Sequence, residues 1–155
     1  MNPCYNSGDF MKYFYGNMKA LNVPAPTTLF ISYQTTIATA STLVGTLHKL
    51  GKGATIAELV GATVGIEKLM VAASFGAAAY TGVVIGSVFV ATGRSLACGY
   101  QISDMFDFLH RNNLQFRGWR ALFLHNPEII DVTHPFRDSY GMRAKTSPMS
   151  FEYAL

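Results

Sequence analysis

Hydrophobic side chains recur at helical spacing near the start of the chain. Phe10 pairs with Phe14, Met11 with Tyr15, and Met18 and Leu21 continue the stripe. That spacing predicts an aromatic amphipathic helix capped by Ser7 and running to about Leu21, with Asp9 placed where the helix dipole favours an acid. Asn22-Val23-Pro24-Ala25-Pro26 ends it as a stiff linker, so residues 1–26 read as one helix and its exit. From Thr27 to Leu47 the chain carries no charge for 21 residues, close to the ~20 that a helix needs to cross a bilayer. The hydroxyls in this stretch are ordered. Thr28, Ser32, Thr35, Thr39, Thr42 and Thr46 step by 4, 3, 4, 3 and 4, which sets them on one helical face. Two readings follow: the hydroxyls bond back to their own helix or a neighbour, or they form a polar stripe facing water inside an assembly.

After a two-lysine turn at His48–Gly53, the pattern changes to small residues every fourth place: Gly53, Ala57, Gly61 and Gly65. The step returns at Ala78, Gly82 and Gly86. Each glycine costs about 1 kcal/mol relative to alanine inside a helix, so something must offset it. On a continuous helix turning about 100° per residue, Gly61, Gly65, Ala72, Gly76, Ala79 and Gly86 share one side. A face stripped of side chains lets another helix approach backbone to backbone, either within one molecule or between molecules. Leu69–Gly93 is uncharged for 25 residues, a second candidate span. A single helix over residues 54–93 would be about 60 Å long, twice the hydrocarbon thickness of a bilayer. A break near Glu67-Lys68 is therefore expected.

Beyond Arg94 the periodicity weakens. A helix is expected from Ser103-Asp104, ending near Asn112-Asn113, with a shorter one at Arg117–Leu124 and an irregular tail. The expected fold is thus all-α: two long apolar helices over 27–47 and about 54–93, short helices, and an irregular C-terminal segment. No low-complexity linker divides the chain, so one domain over 1–155 is expected, with 27–93 as its apolar region and 94–155 as its polar segment.

Composition sharpens this picture. Half of the 155 residues are hydrophobic, 14% are charged, and mean hydropathy is +0.22, where an average soluble chain has about 25% charged residues. The balance lies between a soluble and a small membrane protein. Net charge is +3, with no basic cluster dense enough for nucleic acid. Cys4 and Cys98, with His48, His110, His125 and His134, show no metal-ligand or catalytic spacing. No phosphate loop is present either, and no enzyme activity, cofactor or metal is expected. Glu58 and Glu67 flank the apolar stretch, where an acid is costly in lipid; each faces water, lines a cation pathway, or acts as a pH latch. Lys12 and Lys19 precede an uncharged stretch, but Ser32, Gln34, Thr35 and Thr36 interrupt it. A cleaved signal peptide is not expected.

The Gly61–Gly65 and Ala78–Gly82–Gly86 repeats resemble the glycine zippers of pore-forming toxins delivered by the bacterial type VI secretion system. The resemblance covers roughly residues 27–93. It implies an antibacterial effector secreted without a signal peptide inside the ring-shaped Hcp carrier protein. Such an effector inserts from the periplasm into the inner membrane of a competing cell. There it assembles as a homo-oligomer and passes small cations, so that the membrane potential collapses. The producing cell would hold a cognate immunity protein. On this reading Gly53, Ala57, Gly61, Gly65, Gly76, Ala78, Gly82 and Gly86 carry helix assembly. Thr35, Thr39, Thr42, Thr46, Glu58 and Glu67 are the candidate pore lining. The residues also fit two other classes: a resident membrane protein of two or three spans, and a soluble helical domain that binds a partner.

Overall fold

The computed structural model describes residues 10–51, 53–95, 107 and 109–114. The fold is all-α. Among the described residues, the helices α1 (Phe10–Ala20), α2 (Tyr33–Leu50), α3 (Ile56–Ala62) and α4 (Ala77–Ser95) are joined by turns and a 3-10 helix at Glu67–Ala72.

The expected amphipathic helix is α1. Phe10, Phe14, Asn17 and Met18 are buried along one face, as the i, i+4, i+7, i+8 spacing requires. It stops at the segment 22–26, as expected. Asn22 takes a left-handed φ of 56°, the N–H of Asn22 bonds the carbonyl of Lys19 at 3.0 Å, and that of Val23 bonds Met18 at 3.0 Å. This pair of bonds is a Schellman closure, with buried Val23 and Met18 supplying its apolar contact. The same closure recurs at Asn113, φ 54°, where Leu114 N–H reaches Leu109 at 2.9 Å and Asn113 N–H reaches His110 at 3.4 Å. The helix end expected near Asn112-Asn113 is therefore present. The Ser7 cap, Asp9, the 117–124 helix and the tail lie outside the described residues, as does most of the polar C-terminal segment.

Residues 21–32 form a strap between α1 and α2. Pro26 folds it by accepting N–H bonds from Leu29 at 3.0 Å and Phe30 at 3.2 Å. Leu29 and Phe30 are thereby turned into the core, where the Phe30 ring lies 5.1 Å from that of Phe14. The first apolar stretch consequently becomes helical only at Tyr33, six residues later than expected. Ser32 is its N-cap, extended at φ −145°, with its Oγ accepting the N–H of Thr35 at 3.2 Å. The helix closes at Gly51, φ 93°, a conformation a side chain would resist, with His48 and Lys49 in the last turn where the dipole favours cations.

The second apolar stretch departs from the sequence reading. It is not one helix broken near 67–68 but three pieces, with breaks at residues 63–66 and 73–76. Thr55 and Gly76 pair in an isolated antiparallel bridge, and Ala77 N–H bonds Ala54 at 3.3 Å. Residues 55–76 thus leave the helical layer and return as a small lobe closed at its neck. The physical reason is amphipathicity. Ile56, Leu59, Ile66, Leu69 and Ala72 are buried while their neighbours are exposed, and one straight helix cannot turn all five inward. Gly65 makes the bend with φ 98°, in the left-handed region that glycine tolerates.

Helix α4 sits at the centre. It packs mainly on α1 and also on α2. Of Ala77–Thr92, only Ala79 and Val83 are even half-buried, and the rest are buried. Val84, Ile85, Val88 and Phe89 have no exposed surface, each contributing on the order of 1.5–3 kcal/mol of burial.

Candidate functional site

The eight small residues divide between two settings. Gly53, Ala57, Gly61, Gly65 and Gly76 are exposed, whereas Ala78, Gly82 and Gly86 are buried in α4. A Cβ added at Gly53, Gly61, Gly65 or Gly76 would meet nothing within 4 Å. Among the described residues, no helix therefore approaches the backbone at these four positions. The continuous ladder read from the sequence is interrupted, because Gly65 forms a turn and Gly76 forms the neck of the lobe. Only the Ala78–Gly82–Gly86 part lies on one helix among buried neighbours.

The hydroxyl face of α2 points largely inward. Thr35 is half-buried and takes part in the Ser32 cap, with 3.0 Å between the two oxygens. Thr39 is buried and donates to the carbonyl of Leu29 at 2.7 Å, which fixes the strap. Thr42 is half-buried. Thr46 lies 2.8 Å from the hydroxyl of Thr63 and so ties α2 to the lobe. In this folded state the stripe fastens the chain to itself, the first of the two readings open at the sequence.

Glu58 and Glu67 both face solvent. Glu58 belongs to the cap of α3: its N–H reaches Thr55 Oγ1 at 3.1 Å, and that hydroxyl donates to the Glu58 carboxylate at 3.2 Å. The signal, Thr55-x-x-Glu58 ahead of an apolar run, was present in the sequence as a capping motif. Glu67 accepts the N–H of Gly65 at 3.1 Å. Its own N–H and that of Gly65 hold its carboxyl below the usual carboxylate range. The two acids thus shape the lobe and do not meet.

Three features were not singled out in the sequence. First, Asn17 Nδ2 donates to Ser87 Oγ at 2.9 Å inside the α1–α4 interface. Second, Tyr80, fully buried on α4, donates to the carbonyl of Pro24 at 2.9 Å. Tyr15 makes the matching bond from α1 to the Phe30 carbonyl, and burial raises the pKa of its phenol. The strap is thereby pinned to both helices. Third, the hydroxyls of Thr81 and Thr92 are buried with no hydrogen-bond partner among the described residues. Eleven residues apart, they lie within about 20° of each other around α4. A buried orphan hydroxyl costs on the order of 1–3 kcal/mol, so α4 is held in this fold against a local penalty.

The lobe also leaves apolar surface uncovered. Val64 is 97% exposed, Val71 63% and Met70 45%. Among the described residues no helix is long and apolar enough to cross a membrane, and no three His, Cys, Asp or Glu side chains gather as a metal site would require. Compared with known proteins, the chain matches no family model, no curated protein and no solved structure.

Proposed function

We propose that this chain is a membrane-permeabilising toxin that carries its insertion segment folded inside itself. In the target inner membrane it assembles as a homo-oligomer through small residues and passes small cations. The observation that carries the reading is α4. From Ala77 to Thr92 it is buried or half-buried at every position, as a helix in the core of a large protein or in a membrane is. Among the described residues it packs on the shorter α1 and α2. Its two orphan hydroxyls, Thr81 and Thr92, are groups that neighbouring helices satisfy in a bilayer assembly.

The conducting state requires a rearrangement. Helix α4 spans 19 residues, about 28 Å at 1.5 Å per residue, short of a ~30 Å core. If residues 73–76 became helical, Leu69–Gly93 would form one uncharged helix of about 38 Å, and the bridge between Thr55 and Gly76 is what now prevents it. Gly61, with no close neighbour among the described residues, and Gly65, released from its bend, then become available for contact between copies. Thr35, Thr39, Thr42 and Thr46 would exchange their internal bonds for a water-filled lumen, with Glu58 and Glu67 at its mouth. Carriage by an Hcp-type ring and protection of the producer by an immunity protein accompany this reading through the sequence resemblance alone.

The test is ion and dye release from loaded liposomes. Wild-type protein is expected to release potassium and retain dye. Gly61→Val is expected to abolish release with its fold intact, since the added side chain enters open space. Absence of release at every protein-to-lipid ratio overturns the proposal, and full release by Gly61→Val removes that glycine from the assembly.

A further inference from the structure

Helix α1 covers α4 by contacts of two kinds. Phe10, Phe14 and Met18 are buried on the face it turns to the core, where the Phe10 ring also meets Tyr33 and the Phe14 ring Phe30, and Asn17 makes a buried polar bond to Ser87. Its opposite face carries Lys12, Gly16 and Lys19, all exposed and spaced 4 and 3 apart, with no acid anywhere in α1. Among the described residues nothing lies within 4 Å of a Cβ added at Gly16, so they leave this basic face smooth and open. Eleven residues make a helix that is marginal alone in water. Once off α4, α1 therefore needs another apolar surface, and its charge selects which. Both lysines lie within a helix diameter, about 10 Å, of the apolar face, which is also about the screening length at physiological salt. Attraction to an anionic surface thus persists whichever way the helix lies.

Resting on the toxin reading, we infer that α1 is a releasable cover: an anionic lipid bilayer competes with α4 for its Phe10–Phe14–Met18 face, and the Asn17–Ser87 bond is the latch between them. The strap limits how far the cover moves. Its carbonyls at Pro24 and Phe30 are held by Tyr80 and Tyr15, one on each side of the interface. Removing α1 uncovers the α4 face that bears Ser87. The two orphan hydroxyls make α4 readier to leave than a fully satisfied helix.

The experiment uses the full chain with Cys4→Ser and Cys98→Ser. Asn17→Cys with Ser87→Cys is the disulfide lock, and Ala91→Cys alone, one helical turn beyond Ser87, fully buried and leaving the latch intact, serves as the labelling site. Vesicles of phosphatidylglycerol mixed with phosphatidylcholine are compared with phosphatidylcholine alone. The thiol at position 91 is expected to resist maleimide in solution and with neutral vesicles, and to label on anionic ones. The oxidised double variant is expected to lose potassium release, and reduction to restore it. Lys12→Gln with Lys19→Gln should weaken anionic-vesicle binding roughly 10- to 30-fold, from about 1 kcal/mol per lysine near such a surface.

Release by the oxidised form equal to the reduced form overturns the cover while leaving the toxin reading in place. Labelling on anionic vesicles with no release from any form supports the cover and removes the toxin reading. A thiol that stays protected on vesicles, labels in solution, or ignores lipid charge overturns the inference whatever is released.

Discussion

The same letters, small residues four apart, do opposite things in α4 and in the lobe. In α4, Gly82 and Gly86 are buried in a helix surrounded by other elements. In the lobe, Gly61, Gly65 and Gly76 have no close neighbour among the described residues, and one of them bends the chain at φ 98°. Close packing explains the first pair, backbone freedom explains Gly65, and nothing in the fold explains Gly61. A glycine inside a helix with no close neighbour gives up about 0.5–1 kcal/mol relative to alanine, and the folded state gains nothing visible in return. That cost at Gly61 is what an assembly role would account for.

The largest effects should come from disturbing the buried pair. Gly82→Val and Gly86→Val each force a branched side chain into the centre of the packing and are expected to destabilise by about 1–3 kcal/mol, read as a lower urea midpoint. Because they strain the fold itself, loss of membrane activity in these variants cannot be assigned to assembly. Gly61→Ala is expected to do the reverse, raising stability by about 0.5–1 kcal/mol. Equal losses at Gly61 and Gly82 would mean that the lobe is packed as tightly as α4, and the contrast between them would collapse.

The division explains which features were legible in the sequence. The ends of α1 and of the helix near Asn113 could be read, because an asparagine at a C-terminus is a local signal and its left-handed turn is a local event. The all-α class could be read from periodicity. The breaks at 63–66 and 73–76 could not be placed from glycine spacing, since Gly65 in a turn and Gly86 in a helix look identical until the burial of Ile66, Leu69 and Ala72 decides which way the chain must face. The late start of α2 was hidden for a related reason. Ser32 is one of six hydroxyls in register, and only the inward turn of Leu29 and Phe30 singles it out as the cap. The Asn17–Ser87 pair joins residues 70 apart in sequence, and neither carries a local mark.

A second prediction sharpens the contrast within the hydroxyls. Thr81 and Thr92 on α4 are buried without partners among the described residues, whereas Thr39 on α2 donates to Leu29 at 2.7 Å. Replacing an orphan hydroxyl with a methyl of the same shape removes a desolvation penalty, so Thr81→Val and Thr92→Val should each stabilise by about 1 kcal/mol. Thr39→Val leaves a carbonyl unpaired and should destabilise by roughly 1–3 kcal/mol. If α4 is kept ready to leave, the two stabilised variants should also release potassium from liposomes more slowly. Stabilisation without slower release would separate the orphan hydroxyls from the mechanism and leave them as packing compromises.

The smallest expected effect is in the lobe. The carboxylate of Glu67 is held by its own N–H and by that of Gly65, so its pKa in the folded chain lies below that in the unfolded chain. A depressed pKa means that the unfolded state binds the proton more readily. The contribution is therefore fully present above the unfolded-state pKa, at neutral pH, and is lost as pH falls through the folded-state pKa. Glu67 is exposed, which keeps the effect small. Glu67→Gln should lower the melting temperature slightly at neutral pH, with the gap from wild type closing in acid. A gap that widened in acid would mean that the Glu67 charge is a burden to the folded lobe. The bend at Gly65 would then need a cause other than this carboxylate, and Glu67 would regain its place as a candidate pH latch.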